Sequence, residues 1–255
     1  MTTVVSQPSA KQCTLGIKLS TLSFEEALNQ LIAIAQKNSG GYVCFANAHM
    51  TVEAYWDQAY AAFVNQAHFV FPDGQPLVWA LKLLHQQHQE RIAGMDMFPA
   101  LLREAATQHL SVFFYGSTPK ILDEIRQRIL HEYPNLTIAG MISPPFRDLT
   151  VQELAQDIHQ MNQSGAKLIF VSLGCPKQEK WMAKHSPNLS ALVVGIGGAF
   201  PVFAQVHKRA PKWMRSAGLE WLFRLIQEPK RLWKRYLVTN TIFISLFLKR
   251  LIFKK

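Results

Sequence analysis

An aspartate at position 73 and an arginine at position 91 are the residues around which chemistry can be built. The stretch from Phe69 to Met97 opens with a short apolar run, Phe69-Val70-Phe71, that ends at the turn-forming triplet Pro72-Asp73-Gly74. Leu77, Val78, Ala80, Leu81 and Leu84 then recur at helical spacing. Strand, turn and helix in that order place Asp73 at the carboxyl end of a strand, where open α/β sheets bind their ligands. Arg91, just past the helix, can fold back to the same edge. A carboxylate and a guanidinium in one cleft suit a reaction that takes a proton from one partner while an anion leaves the other. Aspartate is also a favoured turn residue, so the local sequence leaves a purely turn-shaping role open.

Two other stretches offer ligand-binding groups. Gly174-Cys175-Pro176-Lys177-Gln178-Glu179 follows an apolar run and opens a helix, whose first N–H groups can meet an anion while Gln178 binds an amide or hydroxyl. Glu179 at that position favours the helix dipole. Gly195-Ile196-Gly197-Gly198 lacks the G-x-G-x-x-G spacing of a dinucleotide fingerprint. Gly195 and Gly197 still admit either close approach of a phosphate or sugar, or tight packing. The sequence has no D-x-D pair, H-E-x-x-H, G-x-S-x-G or Walker pattern.

The elements that must position these residues alternate. A strand is expected over Leu15–Leu19, then a capping box at Ser23 and Glu26 opening a helix that ends near Asn38. A strand at Tyr42–Ala46 stops at Asn47, and a single helix follows from Met50 to Asn65. After Arg91, Asp96 is placed to cap a helix. Strands are then expected at 111–115, 136–142, 167–173 and 191–194, with helices at 120–131 and 150–162 between them. This βαβ spacing predicts a mainly parallel sheet with helices on both faces, bringing Asn47, Asp73, Gln178 and the 195–198 glycines to one edge.

Charge divides the chain unevenly. From Val206 to Lys255 there are 13 Lys and Arg against two acids, Glu220 and Glu228, whereas the first 205 residues hold 14 against 15. The expected organisation is a loose segment 1–14, an α/β body 15–207 and a basic helical appendage 208–255. Such a tail suits a polyanionic partner. Tyr236–Leu248 is 13 uncharged residues between basic pairs, short of the roughly 20 that span a bilayer, so a helix lying in the membrane interface is expected. A terminal helix packed on its own domain or on another subunit is the alternative. The long apolar run favours lipid over nucleic acid. Three dispersed cysteines, Cys13, Cys44 and Cys175, fit a reducing compartment, and the N-terminus has no signal-peptide pattern.

Together, PDG at 72–74, RIAGMD at 91–96, LGCPKQEKW at 173–181, GIGGAF at 195–200, KRAP at 208–211 and GLEWLFRLIQEPKRLWKRY at 218–236 resemble the WecG/TagA/CpsF glycosyltransferases, family 26. The resemblance implies a Rossmann-like body of the GT-E type with a C-terminal membrane-binding appendage. It further implies an inverting, metal-independent enzyme without a cofactor, at the inner face of the cytoplasmic membrane. Such an enzyme moves a hexosyl unit from a UDP-sugar to a polyprenyl-diphosphate-linked sugar, and leaves room for a homo-oligomer. Asp73 takes the place of the general base and Arg91 that of the arginine holding the diphosphate. Asn47 and Gln178 match polar pocket positions, while Arg224, Arg231 and Arg235 match basic residues that meet lipid phosphates and close the cleft. Two positions depart from the family's pattern: Pro201, where an Asp is usual, and Phe45, where a small polar residue is common. A non-catalytic membrane-surface adaptor that keeps the fold is the rival reading.

Overall fold

A computed structural model describes residues 11–253. Of the segment 1–14 expected to be loose, residues 1–10 lie outside the described part. Lys11–Thr14 is instead a strand, β1, paired antiparallel with β2 (Ile17–Ser20), and Leu15-Gly16 form the turn. Helix α1 (Phe24–Lys37) follows the Ser23/Glu26 capping box and ends at Asn38 in the left-handed region.

Strand β3 (Tyr42–Ala46) runs into α2 (Ala48–Trp56) and α3 (Gln58–Gln66). The single helix expected over 50–65 is two, because Asp57 ends one and caps the next, accepting from the Tyr60 N–H at 3.0 Å. Then come β4 (Phe69–Pro72), α4 (Gln75–His85) and α5 (Gly94–Thr107). Next are β5 (Val112–Gly116), α6 (Pro119–Glu132), β6 (Ile138–Ile142), α7 (Val151–Gln163) and β7 (Leu168–Ser172). The body closes with α8 (Lys177–His185), β8 (Leu192–Gly195) and α9 (Ala199–Phe203). Three helices complete the chain: α10 (Lys212–Ser216), α11 (Glu220–Gln227) and α12 (Pro229–Ile252).

Strands β3 to β8 form one parallel sheet in the order β4-β3-β8-β7-β5-β6. Because side chains alternate along a strand, each strand feeds two cores. Val43 and Phe45 of β3, with Phe114 and Phe170, pack against α1, α5, α6 and α9. Tyr42, Cys44, Tyr115 and Val171 pack on the other face with residues of α2, α3, α4 and α8. The fold is the Rossmann-like α/β arrangement expected.

The β1–β2 hairpin lies along the outer flank of β4. There the Ser20 hydroxyl accepts from the Val70 N–H at 3.1 Å, and Asn65 bridges the Gly16 carbonyl and the Lys18 N–H at 3.0 and 2.8 Å. These bonds satisfy backbone groups that an edge strand otherwise leaves open.

Candidate active site

The turn after β4 is held by the neighbouring strand. Asp73 and Gly74 N–H both donate to the Ala46 carbonyl, at 2.8 and 3.2 Å. Asn47 stands beside them as the N-cap of α2, its Oδ1 accepting from Met50 N–H at 3.1 Å. A Cβ on Gly74 would lie 3.3 Å from that of Asn47, so the two strand ends are tightly apposed. Arg91 folds back as expected. Its Nη1 donates to the Asp73 carbonyl oxygen at 3.3 Å and lies 3.7 Å from the Asp73 carboxylate.

Asp73 keeps 29% of its side-chain surface open, while the surrounding protein strips most of the water that would solvate a charge. Burial therefore pushes its carboxyl up to about 7. Glu220 and Asp96 add to the rise, and Arg91 and Arg224 oppose it. An acid poised there can hold or release a proton near neutrality, as a general base requires.

Four further groups, Glu220, Asp96, Arg209 and Arg215, converge here that the sequence reading did not assign to the site. Glu220, the first residue of α11, accepts from Arg91 Nη1 at 2.9 Å. Asp96 is not the cap of α5: it sits in the first turn, behind the N-cap Ala93. Its carboxylate instead gathers Arg209 at 2.7 Å, Arg91 at 3.4 Å and Arg215 at 3.6 Å. The start of α5 rests on the core, where Gly94 packs against the Phe45 ring. Phe45 is thus a buried packing residue under the Asp96 helix.

On the adjoining strands the glycine loop is anchored from below. Gln178 is buried: its Oε1 accepts from Gly197 N–H at 3.0 Å and its Nε2 donates to Glu179 at 3.0 Å. Ser172 Oγ donates to the Gly197 carbonyl at 2.7 Å. Glu179, expected to lie near the helix dipole, is wholly buried and accepts from the Tyr60 hydroxyl at 3.0 Å. Burial raises its carboxyl above the ordinary range. The Gly197 N–H, which can only donate, fixes which way the Gln178 amide points. Gln178 therefore holds the loop through its amide oxygen while its amide nitrogen is anchored on Glu179. Gly195 has no room for a side chain, because a Cβ there would come within 2.5 Å of Met182.

From above, Arg224 of α11 lies on the same loop: a Cβ on Gly198 would meet its Nη2 at 2.6 Å. Arg224 and Arg91 thus flank Asp73. Arg235 packs over the Tyr236 ring at 5.3 Å and near His49, two residues beyond Asn47. Burial, then Arg235, hold His49 down to about 4, so its ring is neutral. Arg231 is exposed and ion-paired with Glu228, away from the cluster. Pro201 lies on α9, partly buried. Cavities of about 570 Å³ beside Thr21–Glu26 and 430 Å³ along α7 lie apart from these residues.

The model of the glycosyl transferase WecG/TagA/CpsF family matches residues 12–255. The chain belongs to that family. Two relatives, from Bacillus spizizenii and Bacillus subtilis, are each named an N-acetylglucosaminyldiphosphoundecaprenol N-acetyl-beta-D-mannosaminyltransferase. The first is 35% identical over 202 residues, covering 79% of this chain and 76% of the relative. The second is 35% identical over 199 residues, covering 78% and 75%. Family membership identifies the protein as a glycosyltransferase whose ion-paired cluster lies at the carboxyl edge of its sheet.

Proposed function

We propose that this glycosyltransferase moves a hexosyl, N-acetylhexosaminyl or uronosyl unit, with inversion, from a UDP-sugar to a polyprenyl-diphosphate-linked sugar in envelope glycan synthesis. The two relatives' names favour an N-acetylmannosaminyl unit delivered to an N-acetylglucosamine carried on diphosphoundecaprenol. The observation that carries the reading is Asp73, an acid raised toward neutrality between two arginines, one from the body and one from the appendage. In the reaction the Asp73 carboxylate takes the proton of the acceptor hydroxyl. The oxygen attacks the anomeric carbon as that carbon's bond to the diphosphate breaks, and UDP departs. Arg91 and Arg224 neutralise the charge that develops on the leaving phosphate, with the bidentate geometry guanidinium offers.

The acceptor's lipid requires the enzyme at a membrane surface. No helix among the described residues is long and apolar enough to cross one. Helix α12 packs on α2 and α4, burying Leu232, Thr239 and Phe243, and leaves Trp233, Leu237, Ile244, Leu248 and Leu251 exposed along its opposite side. Lys230, Lys234, Lys249 and Arg250 accompany that stripe, the composition of a helix seated among anionic headgroups. The proposed location is peripheral, on the cytoplasmic side.

The test is transfer from a panel of UDP-hexoses, UDP-N-acetylhexosamines and UDP-uronic acids to a short polyprenyl-diphosphate N-acetylglucosamine, with and without chelator. Product with at least one donor, undiminished by EDTA, is expected, since arginines supply the neutralising charge. Absence of product with every donor, or its loss on chelation, would refute the proposal as stated. The same assay across pH 5 to 9 should show kcat/KM falling about tenfold per unit on the acid side of a limb near 7, as Asp73 takes up its proton. A profile flat down to pH 5 would remove Asp73 from the base role.

A further inference from the structure

The closest ion pair of Arg91 is not with the proposed base. Glu220 Oε2 lies 2.9 Å from Nη1, against 3.7 Å for the Asp73 carboxylate, and the Glu220 side chain is only 16% exposed. It is one of two acids among the last 50 residues, in a tail that otherwise carries 13 positive charges. The residue one turn further along α11, Arg224, lies on Gly198. An acid in the first turn of α11 also suits the helix dipole, but the dipole does not call for the 2.9 Å contact with Arg91, which already has Asp96 and Asp73 beside it.

We infer that Glu220 is an internal stand-in for the substrate's diphosphate: it occupies Arg91 in the empty enzyme and must release that guanidinium when the diphosphate enters. A phosphate oxygen and the Glu220 carboxylate cannot share Nη1, since both are anionic acceptors and their repulsion is strong away from bulk water. Asp96 does not compete in the same way, because Arg209 and Arg215 also neutralise it. When Glu220 lets go, α11 loses its tie to the body at the helix start, while Arg224, on the same helix, gains an anion to hold. Anion arrival is thereby coupled to the seating of the appendage. Glu220 sets how tightly the cleft holds a diphosphate without touching the reacting atoms.

The inference rests on the proposed function only for the identity of the anion. Its test is titration calorimetry of the full chain, wild type, Glu220→Gln and Glu220→Ala, with inorganic pyrophosphate and with UDP. Removing the competing carboxylate should tighten pyrophosphate binding about tenfold in both variants, the scale of one charge-assisted hydrogen bond. Should the alanine variant fail to fold, the isosteric glutamine variant decides alone. Pyrophosphate held no more tightly by the variants than by the wild type would overturn the inference, and weaker binding would make Glu220 a supporting residue instead. UDP binding no tighter than pyrophosphate in the wild type would count against the nucleotide-sugar reading and leave the stand-in role intact.

Discussion

Replacing Asp73 with asparagine is expected to lower turnover by at least about a hundredfold, the contribution typical of a positioned general base. The substitution keeps the shape of the side chain and removes only its capacity to take a proton. The turn does not depend on the carboxylate. Asp73 and Gly74 N–H groups are tied to the Ala46 carbonyl, and Arg91 reaches the Asp73 main-chain oxygen. Melting temperature and UDP affinity should therefore stay close to wild type, and the whole loss should fall on kcat. If Asp73→Asn turns over within a few-fold of the parent, the proton goes elsewhere and the weakened acidity of Asp73 is only a consequence of its burial.

A loss of a different kind is expected at the membrane. Leu237, Ile244 and Leu251 lie on the exposed side of α12, away from the buried Leu232, Thr239 and Phe243. Changing all three to aspartate removes apolar area from the interfacial stripe and sets negative charge against anionic headgroups. Co-sedimentation with anionic liposomes should fall by at least about tenfold, because each apolar group withdrawn from the interface costs binding and the basic flanks no longer compensate. Turnover on a short-chain, water-soluble acceptor should persist, since none of the three faces Asp73. Undiminished liposome binding by the triple variant would assign α12 to packing alone.

The sheet was legible because its strands are short apolar runs bounded by turn residues, and the helices because their periods and capping boxes are local. Ser23 with Glu26, and Pro119 opening α6, are signals that need no tertiary context. Asp73 was legible for the same reason: strand, turn and helix fix which end of the sheet it joins. The rest of the cluster was not. Arg91 meets Glu220 across 129 positions of sequence and Arg209 meets Asp96 across 113, and no local pattern carries such pairings. Asp96 looked like a cap because aspartate before an apolar helical run is a capping signal, yet the long-range charges claimed its carboxylate. Glu179 reads from sequence as an acid favouring the helix dipole, yet it is wholly buried and accepts from the Tyr60 hydroxyl, 119 positions away. One signal was available and went unused: a lone acid beginning a helix in a strongly basic tail is itself an oddity, and Glu220 proved to be at the centre.

The strand that carries Asp73 is the outermost rung of the main sheet, a place where chains fray, slip or exchange with a neighbour. Here the β1–β2 hairpin is tied to the rung through Ser20 on the Val70 N–H, and to the end of α3 just before it through Asn65 and through the Lys11 amine on the Ala67 carbonyl. Ten residues remote from the cluster, Lys11–Ser20, therefore act as a splint for the strand that leads into Asp73. The hairpin thereby covers the flank of β4 on which an added strand would otherwise pair.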